Sequence, residues 1–171
     1  MLVVVSGLPG TGKSEVAAAL AARLAAVQLS VDVLEDALLG ARLAPSWQTG
    51  VAAYEAARAT AEQNLALGRT VVVDAVNDSE PARQTWRTAA ARGGVRLAFV
   101  LLVLDDEAEH RRRLEGRVRG LVSVPEPTWG DVRARAEAYE PWADGACLRV
   151  DAAPPVERVA QEVLDRLTDD V

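Results

Sequence analysis

Short apolar runs rich in β-branched residues alternate along this chain with longer stretches of Ala, Leu and Arg. Leu2–Val5 is the first run, unbroken by polar residues, as in a strand covered on both faces. A Gly-rich turn follows, and then Lys13–Ala25, dominated by Ala, the strongest helix former. Val27–Val31 predicts a weaker strand with Asp32 at its end and a short helical stretch beyond it. Residues 43–50, with Pro45 and Trp47, read as a loop. The pattern predicts a helix over 51–67 closed by Gly68, because Gly accepts the left-handed conformation just past a helix end. Thr70–Val73 is the third strand, and Asp78 or Ser79 with Pro81 in the first turn begins a helix that stops at Gly93–Gly94. Leu97–Leu104 is a central strand, followed by a charged helix from Asp106 to about Glu115. Thr128 with Asp131 three residues on predicts a capped helix through Tyr139. Leu148–Asp151 is the fifth strand, and Pro154–Leu167 closes the chain with Val156, Val159, Ala160, Val163 and Leu167 at helical spacing.

Strands separated by helices pair in parallel, so the expected fold is α/β: a three-layer sandwich around a five-stranded parallel sheet. No repeat, low-complexity tract or linker divides the sequence, and 171 residues suit one domain over 1–171. No apolar run approaches the length a bilayer needs and no basic leader precedes the first strand, so an untargeted, cytoplasmic protein with no membrane partner is expected.

Composition narrows the chemistry. One Cys and one His exclude an internal disulfide, His-based triads and multi-His metal sites. Carboxylates, hydroxyls, backbone amides and Arg remain, with a single Lys against eighteen Arg. The net charge of −6 argues against broad binding to nucleic acid or anionic lipid, while leaving a local basic patch open.

That single Lys falls in Gly7-Leu8-Pro9-Gly10-Thr11-Gly12-Lys13-Ser14, a match to the phosphate-binding loop G-x-x-x-x-G-K-[ST], with a strand before it and a helix after. The glycines let successive amides point into one concavity, and the helix adds the positive end of its dipole. Lys13 is placed to reach the β- and γ-phosphates of ATP, and the Ser14 hydroxyl to ligate Mg²⁺.

Val71-Val72-Val73-Asp74 is a strand ending in a carboxylate, and ligands of parallel sheets gather at such ends. Asp74 fits three roles: holding a water on Mg²⁺, orienting an acceptor, or capping the next turn. Asp32, at the end of the second strand, fits either a helix cap or the base that orients a hydroxyl and takes its proton. Which of Asp32 and Asp74 is the base stays open at this level. Arg113 and Arg117, four apart on one helix, would share a face and clamp a polyphosphate. The Gly/Pro-rich segment after them predicts a small Arg-bearing lid over about 111–127, whereas Arg111 and Arg112 suit pairing with neighbouring Glu on a solvated face. Trp47 is either a stacking surface for the acceptor or a packed anchor. Trp86, Trp129 and Trp142 read as packing residues, His110 as a surface residue, and Cys147 as a small buried hydrophobe on the fifth strand.

With these residues the sequence resembles the small P-loop kinases of the AAA_33 or zeta-toxin-like group, near chloramphenicol phosphotransferase, gluconate kinase and the kinase domain of phage polynucleotide kinase. The resemblance runs through GLPGTGKS, LSVD, GRTVVVDAVND, the Arg113/Arg117 pair, YEPW at 139–142 and VDAAPP. It implies an adenylate-kinase-type sheet, Mg²⁺-ATP on Lys13 and Ser14, Asp32 as general base, Arg113 and Arg117 as lid arginines, and adenine near the loop after Asp151. The polynucleotide-kinase-like members carry an Arg three residues after the base, where this chain has Glu35; Arg42 is the nearest substitute. A carboxylate there repels an acceptor phosphate, so a neutral or cationic hydroxyl compound is favoured over a nucleic acid. The expected activity is ATP-dependent phosphoryl transfer to a hydroxyl of a small molecule, a nucleoside or nucleotide, or a polynucleotide 5′ end. The alternative is a P-loop ATPase or nucleotide-dependent switch acting on a protein.

Overall fold

The computed structural model describes residues 1–169. Five strands form one parallel sheet in the order β2-β3-β1-β4-β5, with β1 at Leu2–Ser6, β2 at Val27–Ser30, β3 at Val71–Asp74, β4 at Leu97–Val103 and β5 at Leu148–Asp151. The central strand β1 is buried throughout, which explains its unbroken apolar sequence. Its side chains alternate between two cores. Val3 and Val5 pack with Val16, Leu20, Val159 and Val163 from α1 (Lys13–Arg23) and α7 (Val156–Asp169). Leu2 and Val4 pack with Ala53, Ala57, Ala61 and Trp86 from α3 (Trp47–Ala66) and α4 (Glu80–Gly93). Helix α2 (Val31–Gly40) lies against α3. The three-layer sandwich read from the alternation is the observed architecture. No helix among the described residues is long and apolar enough to cross a membrane.

Register decides where the chemistry falls. Val5 is beside Asp74, and Asp74 is beside Ser30. The carboxyl ends of β1, β3 and β2 therefore meet at one rim, where the loop after β1 and the first turn of α2 also begin.

Several boundaries fall a residue or more from the expected ones, and two of the differences bear on the site. The second strand stops at Ser30, and Val31 already begins α2, so Asp32 sits in the first helical turn. The third helix starts at Trp47, four residues early, because Ser46 accepts the Thr49 amide at 3.2 Å and Thr49 Oγ1 donates to the Ala44 carbonyl at 2.6 Å. The loop expected over 43–50 is correspondingly short. The helices α5 (Glu107–Gly116) and α6 (Trp129–Ala138) begin as expected, α6 with a full Thr128/Asp131 capping box.

The loop after β3 is held by a buried cation. Arg83 on α4 is 1% exposed and donates to the carbonyls of Asn77 at 3.1 Å and Pro141 at 3.0 Å, and to that of Glu140. Its guanidinium lies 4.0 Å from the Trp142 ring centroid and 5.6 Å from that of Tyr139. The YEPW segment is thus the socket of Arg83. Asn77, at φ 53, is in the left-handed region that Asn tolerates better than most residues. Its side chain accepts from Trp86 Nε1 at 2.7 Å and donates to Ser6 Oγ at 2.9 Å, tying the loop after β3 to the end of β1. Replacing Arg83 with Leu leaves these carbonyls without their donor. The expected loss is about 3 kcal/mol of unfolding free energy, read from the urea midpoint at unchanged slope.

Candidate active site

The turn between β1 and α1 folds into a backbone cradle that only glycine permits at two points. Gly7 has φ 143, and a Cβ there would lie 2.6 Å from the Leu102 carbonyl oxygen. Gly10 has φ 90, and its Cβ would press on His110 Cδ2 and Leu114 Cβ at 3.1 Å each. Gly12 is the N-cap of α1, so the free amides of its first turn open toward the same concavity. Pro9 and Thr11 are buried in the turn, and Thr11 Oγ1 braces it by donating to the Leu8 carbonyl at 2.9 Å. Lys13 is 8% exposed, and its Nζ donates to the Leu8 carbonyl at 3.1 Å. Burial lowers its pKa, against the opposing pull of Asp32 and Asp74.

Asp74 is 2% exposed. Its Oδ1 accepts from Ser14 Oγ and from Ser30 Oγ, each at 3.1 Å, while Oδ2 is buried with no hydrogen-bond partner among the described residues. Burial raises its pKa, opposed by Lys13 and the two serines. A buried carboxylate oxygen lacking a donor costs free energy unless a ligand meets it, and an oxygen pair from Asp74 and Ser14 is the hard donor set that Mg²⁺ takes.

A cavity of about 710 Å³ opens over these groups, lined among others by Lys13, Ser14, Asp32, Asp74, Arg113 and Arg117. That volume suits a ligand of nucleotide size. Asp32 is not a helix cap: Ser30 holds the cap position of α2, and the Asp32 carboxylate is instead 2.7 Å from Arg119 Nη1.

The two arginines expected on one helical face are separated. Helix α5 ends at Gly116, and Arg117 has already turned to extended backbone. Arg113 donates to Glu109 at 2.7 Å and to the carbonyls of Ala152 and Ala153 at 2.6 and 2.9 Å, bridging α5 to the loop after β5. Arg117 donates to Glu126 at 3.0 Å, while its Nη2 is buried without a hydrogen-bond partner among the described residues. Burial, with Arg119 alongside, pushes its pKa down. Arg111 and Arg112 pair with Glu115 and Glu109, at 2.7 and 2.6 Å, on the solvated face.

On the far side of Asp32, Glu35 is half-buried, and burial together with nearby Asp32 raises its pKa. Arg42 is exposed just past α2, at φ 69. Trp47 is 78% exposed at the start of α3, so it anchors nothing within the chain.

A family model for AAA domains, AAA_33, matches residues 2–139, which include every site residue named above up to the lid arginines. The chain belongs to the AAA_33 family. No curated protein matches the sequence. Among solved structures, this AAA_33 domain is similar to a gluconokinase from Sinorhizobium meliloti 1021, with 24% identity, a TM-score of 0.69, and 98% of this chain and 93% of that one covered. It is also similar to the APS kinase CysC of Mycobacterium tuberculosis in complex with AMPPNP and APS, with 23% identity, a TM-score of 0.70, and coverage of 98% and 96%. Kti12 of Chaetomium thermophilum in complex with ADP-AlF3 matches with 19% identity, a TM-score of 0.69, and coverage of 96% and 98%. At these identities the likeness is one of fold, that of the P-loop kinases.

Three residues of the AAA_33 domain carry structure that its sequence did not disclose. Arg83 and Asn77 fix the loop after Asp74, and only the readiness of Asn for turns hinted at the second. His110, expected at the surface, is 5% exposed. Its Nε2 is 2.8 Å from the Pro9 carbonyl and its ring stacks edge-on to Trp129 at 5.2 Å, so it braces the phosphate loop from behind. Trp86 and Trp142 are packing residues as expected, and Cys147 is half-buried just before β5.

Burial depresses the His110 pKa from 6.5. The unfolded chain therefore binds more protons than the folded one once the pH drops below that value. The stability His110 supplies is present above about pH 6.5 and lost as the pH falls through the folded-state value. Thermal melts between pH 7.5 and 5 are expected to show a steeper loss for the native chain than for His110→Gln. Parallel slopes would show that the imidazole is not held neutral.

Proposed function

We propose that the protein is a Mg²⁺- and ATP-dependent phosphotransferase that moves the γ-phosphoryl group to a hydroxyl of an acceptor. The observation that carries this reading is the presence of Asp32 in the same cavity as the phosphate loop. With Asp74 and Ser14 taking the Mg²⁺ position, a second carboxylate in the cavity suits a kinase, which needs a group to orient the acceptor hydroxyl and take its proton. The kinase fold and the family support it.

Lys13, the loop amides and the N-terminus of α1 bind the polyphosphate. Ser14 and Asp74 would hold Mg²⁺, since one buried oxygen of Asp74 is free and both groups are hard oxygen donors. Bound Mg²⁺-ATP supplies an electrophilic γ-phosphorus and a leaving group whose charge the cation shares. Arg117, with a buried donor pointing to no protein acceptor, adds positive charge where the phosphoryl group transfers. Arg113 closes the base side of the nucleotide by fixing the loop after β5. Asp32 orients the attacking hydroxyl and takes its proton as the new P–O bond forms.

Glu35 shapes the acceptor. An acceptor phosphate there would face both its carboxylate and that of Asp32, so the site supports a neutral or cationic alcohol, such as a sugar or an amino-bearing compound. Exposed Trp47 offers an aromatic face for stacking on such a molecule, and exposed Arg42 a cation for a negatively charged one.

Asp32→Asn is expected to lower acceptor-stimulated ADP formation at least 100-fold, in a screen over sugars, amino alcohols, nucleosides and 5′-hydroxyl oligonucleotides. Its Mg²⁺-ATP affinity, read by calorimetry, should stay within about 3-fold of the native value. Turnover that survives this change, with no stimulation by any alcohol, would favour a nucleotide-driven switch instead.

A further inference from the structure

Arg119 lies outside the pair of arginines expected to act, yet it holds the carboxylate on which the chemistry rests. Its Nη1 donates to Asp32 Oδ2 at 2.7 Å, its Nε to Glu126 Oε1 at 2.8 Å, and its Nη2 to the Pro125 carbonyl at 3.2 Å. Arg119 is 15% exposed at its side chain, against 40% for Asp32. Glu126 also takes Arg117, so both arginines hang on one carboxylate of the strap formed by residues 117–128.

The backbone of the strap is gripped as well. Asp36 Oδ1 accepts the amides of Val122, Ser123 and Val124 at 3.0, 2.6 and 2.9 Å. Asp32 and Asp36 are one helical turn apart, so a single face of α2 presents both carboxylates to the strap. One holds a side chain and the other holds three amides.

A kinase whose base is open to solvent transfers to water, the smallest and most abundant hydroxyl. Water would attack the γ-phosphorus and pass a proton to Asp32, while the bond from phosphorus to the β,γ-bridging oxygen breaks and ADP leaves with its electron pair. Arg119 occupies Oδ2, one of the two Asp32 oxygens that could accept that proton. Water is too small to displace a guanidinium held at three points, whereas an acceptor that fills the space between α2 and the strap can.

We propose that Arg119 is a specificity-determining residue. By holding Oδ2 in a charge-assisted hydrogen bond it weakens Asp32 as a base toward water until a hydroxyl acceptor takes its place, and this rests on the reading of Asp32 as the base. Once displaced, the guanidinium remains on Glu126, close enough to Lys13 to act on its charge, and joins the cations around the transferring group.

The test needs no knowledge of the acceptor. Mg²⁺-ATP alone is given to the full chain, and ADP release to water is measured. Arg119→Gln is expected to raise this rate about 10-fold, and Asp32→Asn added to it to remove the gain. Asp36→Asn, which loosens the strap without touching Asp32, should raise the rate in the same direction by a smaller factor, and it serves as the reporter if Arg119→Gln does not fold. Structural damage lowers a rate, so a gain that depends on Asp32 separates this weakening of the base from a packing role. A folded Arg119→Gln chain that hydrolyses ATP no faster than the native one, or a gain that survives Asp32→Asn, overturns the proposal. If Asp32→Asn also leaves transfer to alcohols intact, the reading of Asp32 as base falls with it; if that transfer is lost, only the role of Arg119 falls.

Discussion

An ammonium group buried at the foot of α1 is the constraint around which the site is arranged. Lys13 has left water, and within the chain its own donor contact is a backbone carbonyl, so its charge must be balanced from further away. Asp32 and Asp74 supply that balance, and Arg117 and Arg119 oppose it. The cavity thus gathers five cations, Lys13, Arg112, Arg113, Arg117 and Arg119, against three carboxylates, Glu15, Asp32 and Asp74, with a buried donor on Arg117 and a buried acceptor on Asp74 both unmet among the described residues. A polyphosphate together with a divalent cation satisfies both at once, whereas either alone would leave one of them stranded.

The parallel sheet makes this arrangement possible. With Ser30, Asp74 and Val5 in register, three strands deliver a hydroxyl, a carboxylate and the start of the cradle to one rim without a long side chain. Short side chains have few rotors, so the groups nearest the phosphates lose little entropy when held in place. Apart from Lys13 on α1, the long cationic side chains are arginines and enter from the strap and from α5. There, freedom of movement is useful.

How much was legible follows from whether the cause was local. The phosphate loop, its flanking elements, the five strands and the Thr128 cap announce themselves through Gly spacing, apolar runs and cap chemistry within a few residues. The early start of α3 was also written locally, in Ser46 and Thr49, but Pro45 and Gly50 outweighed them as loop signals. Other features arise from contacts between distant segments. His110 looks like one more polar residue in a charged helix, and only the approach of Gly10 and Trp129 buries it. Arg83 is one of eighteen arginines, and its socket lies 57 residues away. The assignment of Arg113 and Arg117 to one face assumed that α5 continued past Gly116; the turn to extended backbone there sends Arg117 into the cavity and leaves Arg113 on the loop after β5.

That turn also fixes how the strap can move. Its first anchor is α5, which packs against the phosphate loop through His110 and Leu114 at Gly10. Its second anchor is Trp129, whose ring meets the same imidazole. Both anchors therefore meet at His110, whose Nε2 is 2.8 Å from the Pro9 carbonyl behind the phosphate loop. The middle of the strap is different: residues 119–126 rest on α2 through carboxylates that an incoming polar molecule can replace one at a time. On the proposed reading, an acceptor entering beside Asp32 would meet the segment whose contacts are exchangeable, while the groups proposed to hold the nucleotide keep their places. Such a division would separate the ordering of the donor, built into the fold, from admission of the acceptor, governed by a few charge-assisted hydrogen bonds.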